Sequence, residues 1–172
     1  MTSDGISSLK EFPESLVILG AGVIGCEFAT IFSNFGKTNV HLISKDERIL
    51  PFEDTDMALA IEKNLESNGV LIHRLSKLDK MEIVDGQVEY VIEHPDREKE
   101  TFQAEKALVS VGRVPNIENT GLREIGVELS ESGYIVDNDT QTSFSNIYAV
   151  GDITADIAVS YTHLTLPTIC SV

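Results

Sequence analysis

The sequence predicts an α/β fold: a parallel β-sheet with helices on both faces, carrying an inserted antiparallel β-meander. Three observations predict it. Apolar strand-like runs alternate with amphipathic helical stretches over residues 15–74, the mark of a parallel sheet covered by helices. A glycine-rich turn, Gly20-Ala21-Gly22-Val23-Ile24-Gly25, joins the first strand directly to the first helix. From residue 77 the pattern shortens to strand-sized pieces separated by turn signals, Asp85-Gly86 being the clearest.

Each element has a local cause. Residues 1–12 are a polar lead-in before Pro13. Residues 15–19, SLVIL, are continuously apolar, as a strand buried on both faces requires. The helix after the glycine turn carries Phe28, Ile31, Phe32 and Phe35 at helical spacing, and Gly36 stops it. Residues 39–43 are the second strand. Asp54 to Asp56 cap a helix over 56–67 whose apolar face is Met57, Leu59, Ala60, Ile61 and Leu65, with Asn68-Gly69 as its stop. Residues 70–74 are the third strand; 77–84, 87–94 and 100–104 are the meander; 106–111 return to a buried strand. A short helix near 119–125 and strands at 133–136 and 146–150 complete the series, with Gly151-Asp152 closing the last.

Composition narrows the function classes. The chain has 172 residues, 42% hydrophobic and 24% charged, enough for an ordinary core. Its 13 Lys and Arg against 28 Asp and Glu give a net charge of −15, which excludes the basic footprint of a nucleic-acid binder. A phosphate-bearing ligand stays open, because backbone N–H groups bind phosphate without cationic side chains. The longest apolar run, residues 16–26, is interrupted by Gly20, Gly22 and Gly25 and falls short of the roughly 20 residues of a membrane span. The first residues lack the apolar centre of a secretory signal, so the expected location is the cytoplasm. Cys26 and Cys170 form no metal or redox motif, and Cys26 reads as a small packed hydrophobe. His41, His73, His94 and His163 show no metal-ligand spacing and read as structural or exposed.

The glycine turn carries the chemistry. Gly20 permits a tight exit from the strand, Gly22 lets a pyrophosphate approach the backbone, and Gly25 lets helix and strand pack closely. The helix N-terminus offers free N–H groups and partial positive charge to the phosphates. This is the dinucleotide fingerprint of a Rossmann-like domain, because strand, turn, helix and second strand occur in order. An acidic residue at the end of the second strand would hydrogen-bond the ribose 2′-hydroxyl of NAD. Ser44 stands there, followed by Lys45. A hydroxyl and an ammonium suit a 2′-phosphate and tilt the reading to NADP, while Asp46 keeps NAD open.

GAGVIGCEFA, ILPFED, SVGRVPN and NIYAVGD follow one another along the chain. In this series the sequence resembles the FAD-dependent pyridine nucleotide–disulfide oxidoreductases, most of all their dihydrolipoamide dehydrogenase and soluble transhydrogenase members. The resemblance implies that residues 13–114 are a NAD(P)-binding domain inserted in a split FAD domain, and that residues 115–158 are part of the FAD-domain return segment. It implies that Gly20, Ala21, Gly22, Val23, Ile24 and Gly25 hold the nicotinamide dinucleotide pyrophosphate and that Glu27 sits near the nicotinamide. Ser44 and Lys45 then read the ribose, Leu78 lies beside the adenine, and Gly112 lies against the nicotinamide. Asp152 hydrogen-bonds the FAD ribityl chain. The implied reaction is hydride transfer between nicotinamide and flavin, in a homodimeric parent.

The family's cysteine pair, its N-terminal flavin glycine loop and its C-terminal dimerisation domain are not in this sequence. The expectation is an internal fragment, catalytically inactive by itself and unable to retain FAD. Residues 159–172, without a single charged residue, read as a tail foreign to the family, artefactual or disordered. The competing expectation is a stand-alone, non-catalytic dinucleotide-binding module.

Overall fold

A computed structural model of the chain describes residues 1–154. The expected foreign tail, with Tyr161, His163 and Cys170, lies outside the described residues. The chain divides into two units, Met1–Gly112 and a second beginning at Arg113.

In the first unit the elements are β1 (Ser15–Leu19), α1 (Val23–Asn34), β2 (Asn39–Ile43), α2 (Thr55–Ser67), β3 (Leu71–His73), β4 (Lys77–Val84), β5 (Gln87–Glu93), β6 (Glu100–Ala104) and β7 (Lys106–Val109). β1 pairs in parallel with β2 and β7, and β2 with β3, giving the order β3-β2-β1-β7. β4, β5 and β6 form a separate antiparallel sheet. Asp85 and Gly86 turn between β4 and β5 with φ of 51° and 83°, the left-handed pair that a two-residue hairpin needs.

Strand alternation splits the core in two. Leu16, Ile18, Val40, Leu42 and Leu108 pack on Cys26, Ala29 and Phe32 of α1 and on Ala58 and Leu65 of α2. Val17, Leu19, Ile43 and Ala107 point the other way and meet Tyr90, Ile92 and Ala104 of the meander. Both helices of this unit therefore lie on one face, which corrects the expected helices on both. The meander supplies the second layer because β5 and β6 bury alternate residues and so present an apolar side of their own.

The helix faces also differ from the expected stripes. α1 buries Gly25, Cys26, Ala29, Phe32 and Ser33, while Ile31 and Phe35 are exposed. α2 buries Ala58 and Leu65, with Ile61 partly covered, while Met57 and Leu59 are exposed. Most of the inner side chains are small, as a close-packed helix–sheet contact favours, with Phe32 and Leu65 the large exceptions. The ends of α2 match expectation. Asp54 Oδ1 accepts from the N–H groups of Asp56 and Met57, at 2.9 and 3.4 Å. Beyond Asn68, Gly69 N–H donates to Glu66 O and Val70 N–H to Leu65 O, both at 3.0 Å, a complete Schellman stop.

The polar lead-in is tied to the sheet. The Met1 ammonium donates to Ala107 O at 2.8 Å, and Val109 N–H donates to Met1 O at 2.9 Å.

In the second unit, α3 (Leu122–Ile125) falls within the expected 119–125. The expected strands at 133–136 and 146–150 are not ladders. Ile135 makes single bridges to Leu129 and Thr154, and Tyr148 makes one to Gln141. The regular pair is instead β8 (Asp137–Asn138) with β9 (Gln141–Thr142). Ile135 and Ala149 are nonetheless buried, with Val127, in a small core. Their apolar pattern reports burial, which an irregular segment can share with a strand. No helix among the described residues is long and apolar enough to cross a membrane.

Candidate dinucleotide site

The order β3-β2-β1-β7 makes the chain leave β1 toward one edge and come back through β7 on the other side. The crevice at the carboxyl ends of β1 and β7 is thus a topological switch point, the place where open parallel sheets take their ligands. The glycine turn occupies it. Gly20 has φ of 98°, and a Cβ there would meet Ser110 O at 2.5 Å. A Cβ on Gly25 would sit 1.9 Å from Gly20 O. Those two glycines are required by the protein's own packing. Gly22 differs: its φ is −79°, and nothing among the described residues lies within 4 Å of a Cβ built on it. As the N-cap of α1 it has no side chain to satisfy the first N–H groups, which an α-helix always leaves without intrahelical partners. An open backbone cradle at the positive end of a twelve-residue helix fits a pyrophosphate.

Two segments hold the cradle from outside. Ser110 donates its hydroxyl to Leu19 O at 2.8 Å, with Gly20 O at 3.1 Å, and its N–H to Leu19 O at 2.9 Å. Leu50 N–H donates to Ala21 O at 2.8 Å, and Leu50 adopts a left-handed φ of 49° to do so. Ser110 was not singled out from the sequence; its signal is a small hydroxyl residue directly after β7, opposite the glycine turn. Ala21 is buried, while Val23 and Glu27 are exposed and Ile24 is half-buried. Gly112 is exposed, two residues beyond Ser110, with nothing among the described residues within 4 Å of a Cβ. The structure thus brings the glycine turn and the segment leading to Gly112 together.

The end of β2 forms a second cluster. Ser44 is 2% exposed. Its hydroxyl lies 3.0 Å from Asp46 O and accepts from Asp46 N–H at 3.2 Å, closing a tight turn on itself. That turn takes up the hydroxyl that was expected to face a 2′-phosphate. Lys45 is exposed. Ser76 N–H donates to Ser44 O at 2.8 Å, which ties the residue before β4 to the end of β2, and Leu78, two residues on, is exposed. Cys26 is buried and donates to Ala21 O at 3.5 Å. Burial, then Glu27 and Glu62, push its thiol up to about 12, so it stays protonated and unreactive. In the second unit Asp152 pairs with the Arg113 guanidinium.

Comparison with known proteins agrees with this geometry. The profile of the family "Pyridine nucleotide-disulphide oxidoreductase" matches residues 1–166. A dihydrolipoyl dehydrogenase of Bacillus subtilis is 36% identical over 154 residues, 90% of this chain and 33% of the relative. A soluble pyridine nucleotide transhydrogenase of Marinomonas sp. is 39% identical over 152 residues, 88% and 32% respectively. Among solved structures, the HOCl-induced flavoprotein disulfide reductase RclA of Escherichia coli superposes with a TM-score of 0.79 at 30% identity, covering 94% of this chain and 36% of that one. LpdA of Mycobacterium tuberculosis gives a TM-score of 0.78 at 28% identity, covering 93% and 34%. The chain therefore spans about a third of the length of the curated relatives it matches. With a family profile running nearly end to end, over the glycine turn and the segments that brace it, the chain belongs to the FAD-dependent pyridine nucleotide–disulphide oxidoreductase family and is related to dihydrolipoyl dehydrogenase.

Proposed function

We propose that this chain is the nicotinamide-dinucleotide-binding part of an FAD-dependent oxidoreductase of the dihydrolipoyl dehydrogenase kind. The observation that carries the reading is Gly22: its backbone is bare, faces open space and caps the N-terminus of α1. Residues 20–25 would hold the pyrophosphate through backbone N–H groups. Glu27, exposed on the first turns of α1, and Gly112 would flank the nicotinamide. Leu78 would lie beside the adenine. Hydride exchange with flavin is the chemistry the cofactors supply, and the chain's part is to hold and orient the dinucleotide. Asp152 would contribute to the FAD site of the longer protein, exchanging its Arg113 partner for the ribityl chain.

The end of β2 favours a second reading of cofactor choice. Ser44, not an acid, directly follows β2 and is buried in its own turn, and Lys45 is the exposed cation beside it. Lys45, rather than Ser44, is then the residue that meets a 2′-phosphate, and a transhydrogenase-like parent using both cofactors follows naturally.

The test is an NADH fluorescence titration of the full chain and its Gly22→Val variant. Valine fits the protein at this position but occupies the cradle. The expected result is binding by the parent chain, a loss of at least roughly tenfold in the variant, and a melting temperature lowered by only a few degrees, the cost of a poorer N-cap. Equal affinity of the two chains would overturn the proposal.

A further inference from the structure

The sequence spaces His73, His94 and Glu100 with no recognisable ligand pattern, yet the fold gathers them. One ligand atom from each lies within 4.8 Å of the other two. They come from three elements: His73 ends β3, His94 follows β5, and Glu100 begins β6. This places them where the meander meets the edge of the parallel sheet.

His94 carries the argument. Its side chain is 4% exposed. The Ser76 hydroxyl donates to Arg74 O at 2.8 Å, so it can only accept from His94 Nδ1, also at 2.8 Å. A neutral His94 ring that donates its Nδ1–H to Ser76 keeps a bare lone pair on Nε2. That Nε2 is buried and has no hydrogen-bond partner among the described residues. It faces Glu100 Oε2 at 3.6 Å. Two acceptors with nothing between them are a costly arrangement in a protein interior, and a cation between them resolves it.

The neighbours agree with a metal ion in that role. His73, half-buried at the end of β3, brings a second imidazole to the same place. Arg97 Nη1 lies 3.3 Å from the other carboxylate oxygen, Oε1, which leaves Oε2 to the site. Arg97 Nη2, a donor only, lies 3.3 Å from His94 Nδ1, and the shorter 2.8 Å contact of that nitrogen is with the Ser76 hydroxyl. Two ligands of one tetrahedral zinc ion sit about 3.4 Å apart, close to the spacing of Nε2 and Oε2.

We propose that His73, His94 and Glu100 form a binding site for a divalent transition-metal ion of the zinc class, which ties the meander to β3. Two imidazoles and a carboxylate are the donor set such ions take, with water completing the coordination. Ser76 holds the His94 tautomer that the metal requires.

The experiment titrates the full 172-residue chain, first stripped with EDTA, with zinc alone and then with cobalt(II). The expected result is one ion per chain, a raised melting temperature, and a cobalt spectrum of nitrogen and oxygen ligands without a thiolate charge-transfer band. Glu100→Gln, at a partly exposed position, should fold normally and bind at least roughly tenfold more weakly. His94→Gln should abolish binding; if it does not fold, His73→Gln takes its place. No zinc binding by the parent chain, binding undiminished in Glu100→Gln, or a thiolate band that moves the ion to Cys26 or Cys170 would each overturn the proposal.

Discussion

A methyl group at residue 25 would have to occupy space 1.9 Å from the Gly20 carbonyl oxygen, a backbone atom that cannot swing aside. Gly25→Ala should therefore separate β1 from α1 and cost about 3 kcal/mol of stability, read as a lowered denaturant midpoint. Gly22→Val should cost only about 1 kcal/mol, the difference of a poorer N-cap, because its Cβ meets nothing among the described residues. Two glycines three residues apart thus divide into one that serves the fold and one left open to a ligand, and paired stability and binding measurements separate the roles. Lys45 yields a further prediction at this scale. It is exposed and follows a serine whose hydroxyl is spent on its own turn. Lys45→Ala should weaken NADPH binding roughly fivefold, as an exposed ion pair allows, and leave NADH binding unchanged. Equal losses for the two cofactors would remove Lys45 from the ribose end of the site.

At the scale of elements, the capping groups of α2 set its limits. Removing the Asp54 carboxylate leaves two N–H groups without their acceptor. Asp54→Ala should cost about 1 kcal/mol, measurable by chemical denaturation. Gly69→Ala, at φ of 85° in the Schellman stop, should cost about as much again. These ends were legible in the sequence because a cap is local: Asp54, Asn68 and Gly69 act on residues a few positions away. The glycine turn was legible for the same reason, as were β1, β2 and the Asp85-Gly86 hairpin. What the sequence hid is non-local. Met57 and Leu59 look like a helix face until the sheet decides that Ala58 and Leu65 turn inward. Nothing in β5 and β6 announces that they cover the parallel sheet where a helix was expected. The Ser44 turn depends on the path of the backbone after β2, and the meeting of His73 with His94 depends on the stacking of two sheets.

That stacking shapes the acid behaviour of the whole first unit. At its edge, Tyr90 Oη lies 2.8 Å from His41 Nδ1, and His73 Nε2 lies 3.2 Å from the same nitrogen. Phe102 packs against both histidines. Burial lowers the His41 ring, and it lowers the His73 ring to about 4 from an ordinary 6.5. Between those two values the unfolded chain binds a proton at residue 73 that the folded chain refuses. Stability is therefore whole above pH 6.5, falls as the pH drops toward 4, and levels off below it, with His73 contributing about 2–3 kcal/mol of the change. The same titration reduces the net charge of −15 and relieves repulsion across the molecule, so the raw profile mixes opposing effects. The difference between the parent chain and His73→Gln isolates the histidine. Measured in EDTA, so that no metal competes with the proton, the gap in stability between the two chains should change steeply from pH 6.5 to 4 and stay level on either side. A gap constant across that interval would mean that His73 is solvated in the folded chain, and that the two sheets do not close over it.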